Sequence, residues 1–140
     1  MIPNRNMSGL CILNILQKYS DADHLLTQEN ISDYLERIYD MTLERKAIAR
    51  NIQMLEDMDY DIVHERRGVY LASRALDVSE TRMLIDSISS SRYIAKHQAD
   101  SICKELKEQQ SVYARHSLDS SVIYADSYYS DNKEVFYNIN

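Results

Sequence analysis

Apolar residues recur at helical spacing through the first half of the chain. Ile12, Ile15, Leu16 and Tyr19 predict a helix over about residues 8–19. Ile31, Tyr34, Leu35 and Ile38 predict a second, with Thr27 as its N-cap and Glu29 in its first turn. Between them, Ser20-Asp-Ala-Asp-His24 is a run of turn-favouring polar residues. After a short connection at Asp40 to Thr42, Ile48, Ile52 and Leu55 form the stripe of a third helix, with Thr42 as the expected N-cap and Glu44 suited to the positive end of its dipole. At about 100° per residue, Lys46, Ala49, Arg50 and Gln53 share the opposite face. The period then changes. Ile62 and Val63 lead into polar Glu65-Arg66-Arg67-Gly68, and Val69-Tyr70-Leu71 resume the apolar run, the pattern of a hairpin with Gly68 where φ must be positive.

The second half is helical again. Asp77 and Glu80 have capping-box spacing, Leu84, Ile85 and Ile88 follow, and Ser89-Ser-Ser91 marks the end of that helix. A further helix is expected over about residues 96–110, with Ala99, Ile102, Cys103 and Leu106 on one face. These two apolar faces must be buried, either on the first three helices or on the same helices of a second copy. Residues 111–140 hold Tyr113, Tyr124, Tyr128, Tyr129, Phe136 and Tyr137 among serines and acids. Val122 to Tyr124 fits a short strand, and Lys133 to Asn138 a helical turn or a strand. Such a tail either packs on a partner or absent domain through its tyrosines, or is a linker.

With 140 residues, 2 glycines and 1 proline, the chain is one average domain or a small domain with an appendage, mostly helical. That length buries a core without disulfides. Cys11 and Cys103 are far apart, without metal-type spacing, and read as buried thiols of a reducing, cytoplasmic compartment. The N-terminus lacks signal-peptide order, and no run approaches the ~18 apolar residues of a membrane span.

The net charge of −6 counts against nucleic-acid binding until its distribution is read. Arg45, Lys46 and Arg50 stand against Glu44 alone within residues 42–54, and Arg66, Arg67 and Arg74 meet no acid within 66–74. At a screening length of ~8 Å, local charge outweighs the total. An apolar stripe opposite a cationic and amide stripe suits a helix that docks by one face and offers donors to phosphates and base edges by the other. An ordinary amphipathic surface helix carries the same stripe, so the order of elements decides. Three short helices followed by a hairpin with a cationic tip is the order of a winged helix-turn-helix domain.

Catalytic chemistry has no evident frame. No paired carboxylates sit in a recognisable arrangement, two glycines cannot build a phosphate-cradling loop, and His24, His64, His97 and His116 are dispersed. Neither an enzyme nor a metal or other cofactor is expected. His64, beside the hairpin tip, reads as a surface or DNA-adjacent residue.

Glu44-Arg45-Lys46-Ala-Ile-Ala-Arg50-Asn-Ile-Gln-Met-Leu55, then Tyr60-Asp-Ile62, then Gly68-Val-Tyr-Leu71 resemble the N-terminal part of bacterial WYL-domain transcriptional regulators. The resemblance continues through Glu80 to Ile94, Lys96 to Leu106 and Val135 to Ile139, so it spans nearly the whole chain; the order and spacing of its motifs are more specific than any one of them. Where that family often has acids at positions 51 and 53, this chain has Asn51 and Gln53, which removes negative charge beside the expected DNA face and makes base reading easier, since both amides can pair with adenine edges. The sequence stops at Asn140, about where a WYL sensor domain would begin; a fragment is the expectation, a naturally short relative the other reading.

The resulting expectation is a mainly α chain. Residues 1–75 form a winged helix-turn-helix domain of three helices plus a β-hairpin wing, 76–110 a two-helix linker or dimerisation segment, and 111–140 a tyrosine-rich tail. The resemblance implies a regulator that binds double-stranded DNA as a homodimer, with any small-molecule effector acting through the absent WYL domain. Lys46, Ala49, Arg50 and Gln53 would face the major groove, Arg45 a phosphate, and Arg66 and Arg67 phosphates or the minor groove. Leu84, Ile88, Ile102 and Leu106 are the candidate dimer contacts. The alternative, from another class, is a protein-interaction module of the same fold that binds a full-length regulator or another protein and not DNA, consistent with the acidic net charge and tyrosine-rich end.

Overall fold

The computed structural model describes residues 5–119. The chain divides between Ala75 and Leu76 into two compact units. The described residues are mainly helical, with a single two-stranded antiparallel sheet among them.

In the first unit a 3-10 turn, Arg5–Met7, leads into α1 (Ser8–Tyr19), followed by α2 (Gln28–Tyr39), α3 (Arg45–Asp57), β1 (Ile62–Glu65) and β2 (Gly68–Leu71). The apolar stripes meet in one core. Ile12, Ile15 and Leu16 of α1 pack with Ile31 and Leu35 of α2, Ile48, Ile52 and Leu55 of α3, and Ile62 and Leu71 of the hairpin. Each such side chain contributes about 1.5–3 kcal/mol on full burial. Cys11 lies in this core as a free thiol, and burial pushes its pKa up from the ordinary value.

α2 opens as the sequence predicts. Thr27 Oγ1 accepts from the Asn30 amide at 3.1 Å, and Asn30 Oδ1 accepts from the Thr27 amide at 2.9 Å. Its C-terminal stripe differs from expectation: Ile38 is 46% exposed. The helix ends one residue later, where Asp40 takes a left-handed conformation (φ 50°) and turns Met41 into the core instead. Tyr34 lies on the flank, stacked on Tyr19 with ring centroids 4.3 Å apart. The expected cap at Thr42 is also displaced. Met41 and Leu43 anchor the connection against the core, helical backbone starts at Arg45, and Glu44 becomes an N-cap that makes no side-chain cap bond.

Arg66 and Arg67 alone connect the two strands, which pair Glu65 with Gly68 and Ile62 with Leu71. Neither arginine has positive φ; the unusual conformation falls on Gly68 (φ 140°). A Cβ there would sit 2.4 Å from the Leu26 carbonyl oxygen. The approach is close because Leu26 and Val69 exchange two backbone hydrogen bonds of 2.8 Å, which fasten the hairpin to the segment between α1 and α2. Ser20, fully buried at the end of α1, is a second fastening. Its hydroxyl donates to the Leu16 carbonyl and accepts from the Leu71 amide at 3.0 Å, while Arg74 Nη2 donates to the Ser20 carbonyl at 2.7 Å.

The second unit holds α4 (Val78–Ser89), α5 (Lys96–Glu108) and helical residues 112–119. The Asp77–Glu80 capping box forms, and α4 ends within the serine run. Ile85, Cys103 and Leu118 make the core, with Val78, Ile88 and Leu106 against it. The boundary expected after residue 110 therefore falls inside this unit. Ser111 Oγ accepts from the Ala114 amide at 3.1 Å at the head of the third helical segment, and buried Gln110 donates to the Leu76 carbonyl and to Thr81 Oγ1. Ser111 is thus a cap and Gln110 a buried polar tie. The expected elements at Val122 to Tyr124 and Lys133 to Asn138 lie outside the described residues.

Candidate nucleic-acid interface

Ile48, Ile52 and Leu55 hold α3 to the core, which fixes the rotation of everything else on that helix. Arg45, Lys46, Ala49, Arg50 and Gln53 are all exposed, as the helical phase requires. Arg66 and Arg67 are exposed at the hairpin tip. None of these five cations forms an ion pair with another described residue.

The charge order along α3 is unusual for this chain. Its cations sit in the first two turns and its acids, Glu56 and Asp57, at the end. A helix dipole favours the reverse by about 0.3–1 kcal/mol per charge. α2 has Glu29 in its first turn and Arg37 in its last, α4 has Glu80 in its first, and α1 and α5 have Lys18 and Lys107 in their last. Among α1–α5, α3 alone has neither an acid in the first turn nor a base in the last.

An open cleft of about 420 Å³ separates α3 from the hairpin. Ala49, Gln53 and Glu56 line one wall, His64 to Val69 the other, and Thr27 and Gln28 of the α2 N-terminus one end. Glu56 and Glu65 bring acid into this cleft beside the arginines. Glu56 is engaged by His64 Nε2 across the cleft. Strand alternation explains why: His64 lies two residues from buried Ile62 and so on the face turned to α3. That alternation was the available sequence signal for the contact.

The geometry adds three engagements near this face. Asn51 is not on the exposed face; its Nδ2 donates to the Ala47 carbonyl at 2.8 Å and its Oδ1 accepts from Ser8 Oγ at 3.2 Å, a tie between α3 and α1. Arg74 is engaged with Ser20, so it does not join the two tip arginines. Gln53 is exposed but not unengaged: its Nε2 donates to Asp57 Oδ1 at 3.0 Å.

Of the residues expected to pair two copies, Ile88 and Leu106 pack on the core of their own unit, Ile102 is half-buried, and Leu84 is 40% exposed beside Met83 at 68%. No group of three or more His, Cys, Asp or Glu side chains among the described residues is placed to hold a metal ion. No helix there is long and apolar enough to cross a membrane. Comparison of the chain with protein-family models, curated proteins and solved structures gives no match.

Proposed function

We propose that this chain is a sequence-specific, double-stranded DNA-binding module of a transcriptional regulator, of winged helix-turn-helix type, similar to the N-terminal part of WYL-domain regulators. One observation carries the reading. α3 keeps Arg45 and Lys46 exposed in its first turn, where the dipole disfavours them, and Arg50 exposed one turn further on, and none of the three forms an ion pair with another described residue. A helix selected only for solubility would gain stability from the opposite order. An anionic partner offsets that cost, and the polyanion that fits a protruding helix beside a cationic loop is duplex DNA.

In this reading α3 enters the major groove with Lys46, Ala49, Arg50 and Gln53 toward the bases and Arg45 toward a phosphate. The hairpin is the wing, and Arg66 and Arg67 meet the flanking backbone or minor groove. The protein acts in the cytoplasm as a homodimer, since each copy offers only a small cationic surface on an acidic chain.

Selection of bound sequences from a random duplex pool tests the proposal. Enrichment of a defined motif, with affinity falling steeply as salt rises, is the expected result. Recovery of no motif, with no duplex binding at low salt, would reject it. Stable capture of a protein partner in that case would favour an interaction module of the same fold, which the acids lining the cleft would suit.

A further inference from the structure

Resting on the DNA-binding reading, we infer that Gln53 and Asp57 act together as an acceptor-rich pair that favours an amino-bearing base, adenine or cytosine, opposite the C-terminal half of α3. A glutamine side chain carries one acceptor and two donors, and unpaired it can satisfy any base edge. Here it is not unpaired. Nε2 donates to Asp57 Oδ1 at 3.0 Å. The chemistry fixes that orientation, because a carboxylate only accepts and the flipped amide would set oxygen against oxygen.

The residues are one helical turn apart, and both are exposed on the face that carries Lys46 and Arg50. One of the two amide hydrogens is spent on Asp57, so the pair offers the glutamine carbonyl oxygen and a carboxylate, with a single N–H remaining. In the major groove, guanine N7 and O6 and thymine O4 are acceptors; the one remaining N–H can meet a single one of them, against two acceptor groups that repel them. Adenine N6 and cytosine N4 are donors and fit the pair. Arg50 lies three residues earlier, about 4.5 Å along the axis, against a base-pair rise of 3.4 Å. An arginine selects guanine. The bound sequence therefore carries a guanine and, one or two steps away, an adenine or cytosine: α3 donates at one end and accepts at the other.

The experiment compares motifs selected from a random duplex pool by the unaltered chain, Asp57→Ala and Gln53→Ala. Asp57 is the exposed last residue of α3, and both variants should keep the circular dichroism of the parent. The parent should enrich adenine or cytosine at one position. Asp57→Ala should relax that preference by about fivefold, the worth of one hydrogen bond, and leave the guanine untouched. Gln53→Ala should weaken it at the same position. Guanine or thymine there for the parent, or an unchanged motif from Asp57→Ala, would overturn the inference while leaving DNA binding intact. Absence of any bound duplex would overturn the inference together with the reading on which it rests.

Discussion

Arg50 and Ile52 stand two residues apart on α3 and have opposite surroundings, the first exposed and the second 4% exposed in the core. Arg50→Ala should weaken specific duplex binding by about 1–3 kcal/mol and leave the melting temperature unchanged. Ile52→Ala should cost about 2–5 kcal/mol of stability through the cavity it leaves. Fluorescence anisotropy and thermal unfolding of both variants check the pair, and the reverse pattern would mean that α3 is rotated from its described phase. Gly68 offers another residue-scale test. A side chain there meets both an unfavourable φ and the Leu26 backbone, so Gly68→Ala should destabilise the first unit by about 1–3 kcal/mol, measured by chemical denaturation. The conformational demand on Gly68 was legible in the sequence, as the turn residue of a short apolar pair. The reason no other residue fits was not, because the Leu26–Val69 pairing joins positions far apart in the chain. Asn51 shows the same limit: helical phase alone left it near the exposed stripe, and its contact with Ser8 depends on how α1 lies.

At the level of elements, periodicity located each of the five named helices and both strands, since each buries a stripe or a face that its own residues announce. Ends were less legible. The start of α3 depends on Met41 and Leu43 holding the preceding chain in the core, which local capping preference at Thr42 does not report. The helix at residues 112–119 was hidden because one buried leucine, Leu118, supplies its apolar anchor among polar neighbours. The hairpin presents two tip arginines and is fixed at its base by Leu26 and Ser20, so tip substitutions should not disturb its attachment. Replacing Arg66 and Arg67 together by alanine should weaken binding to all duplexes alike, and reduce the slope of log affinity against log salt by about 2. A change of selected motif instead would mean that the tip reads bases.

For the molecule as a whole, the proposed DNA binding by an acidic chain would gain phosphate contacts from pairing of two copies. The structure narrows where pairing is tested. Ile88 and Leu106 serve their own core, so charged substitution there would disturb folding before association. The exposed neighbours Met83 and Leu84 are better targets. Light scattering at micromolar concentration should give twice the 16.4 kDa chain mass, and Leu84→Arg should return it to a single chain without loss of helicity. A mass of one chain for the unaltered protein at every dilution would exclude the homodimer.

The two cysteines, each buried and reduced, fall one to a unit. A thiol reacts with an alkylating reagent as its thiolate, and burial both shields these sulfurs and, for Cys11, suppresses that form. Labelling must wait for the surrounding unit to open, so the chain carries two built-in clocks, one for each core. In sub-denaturing urea, mass spectrometry of the alkylated peptides should time Cys11 and Cys103 separately. Destabilising substitutions such as Ile52→Ala should quicken the first and leave the second at its own pace if the cores open independently. Equal acceleration of both would show that a single cooperative event governs the chain.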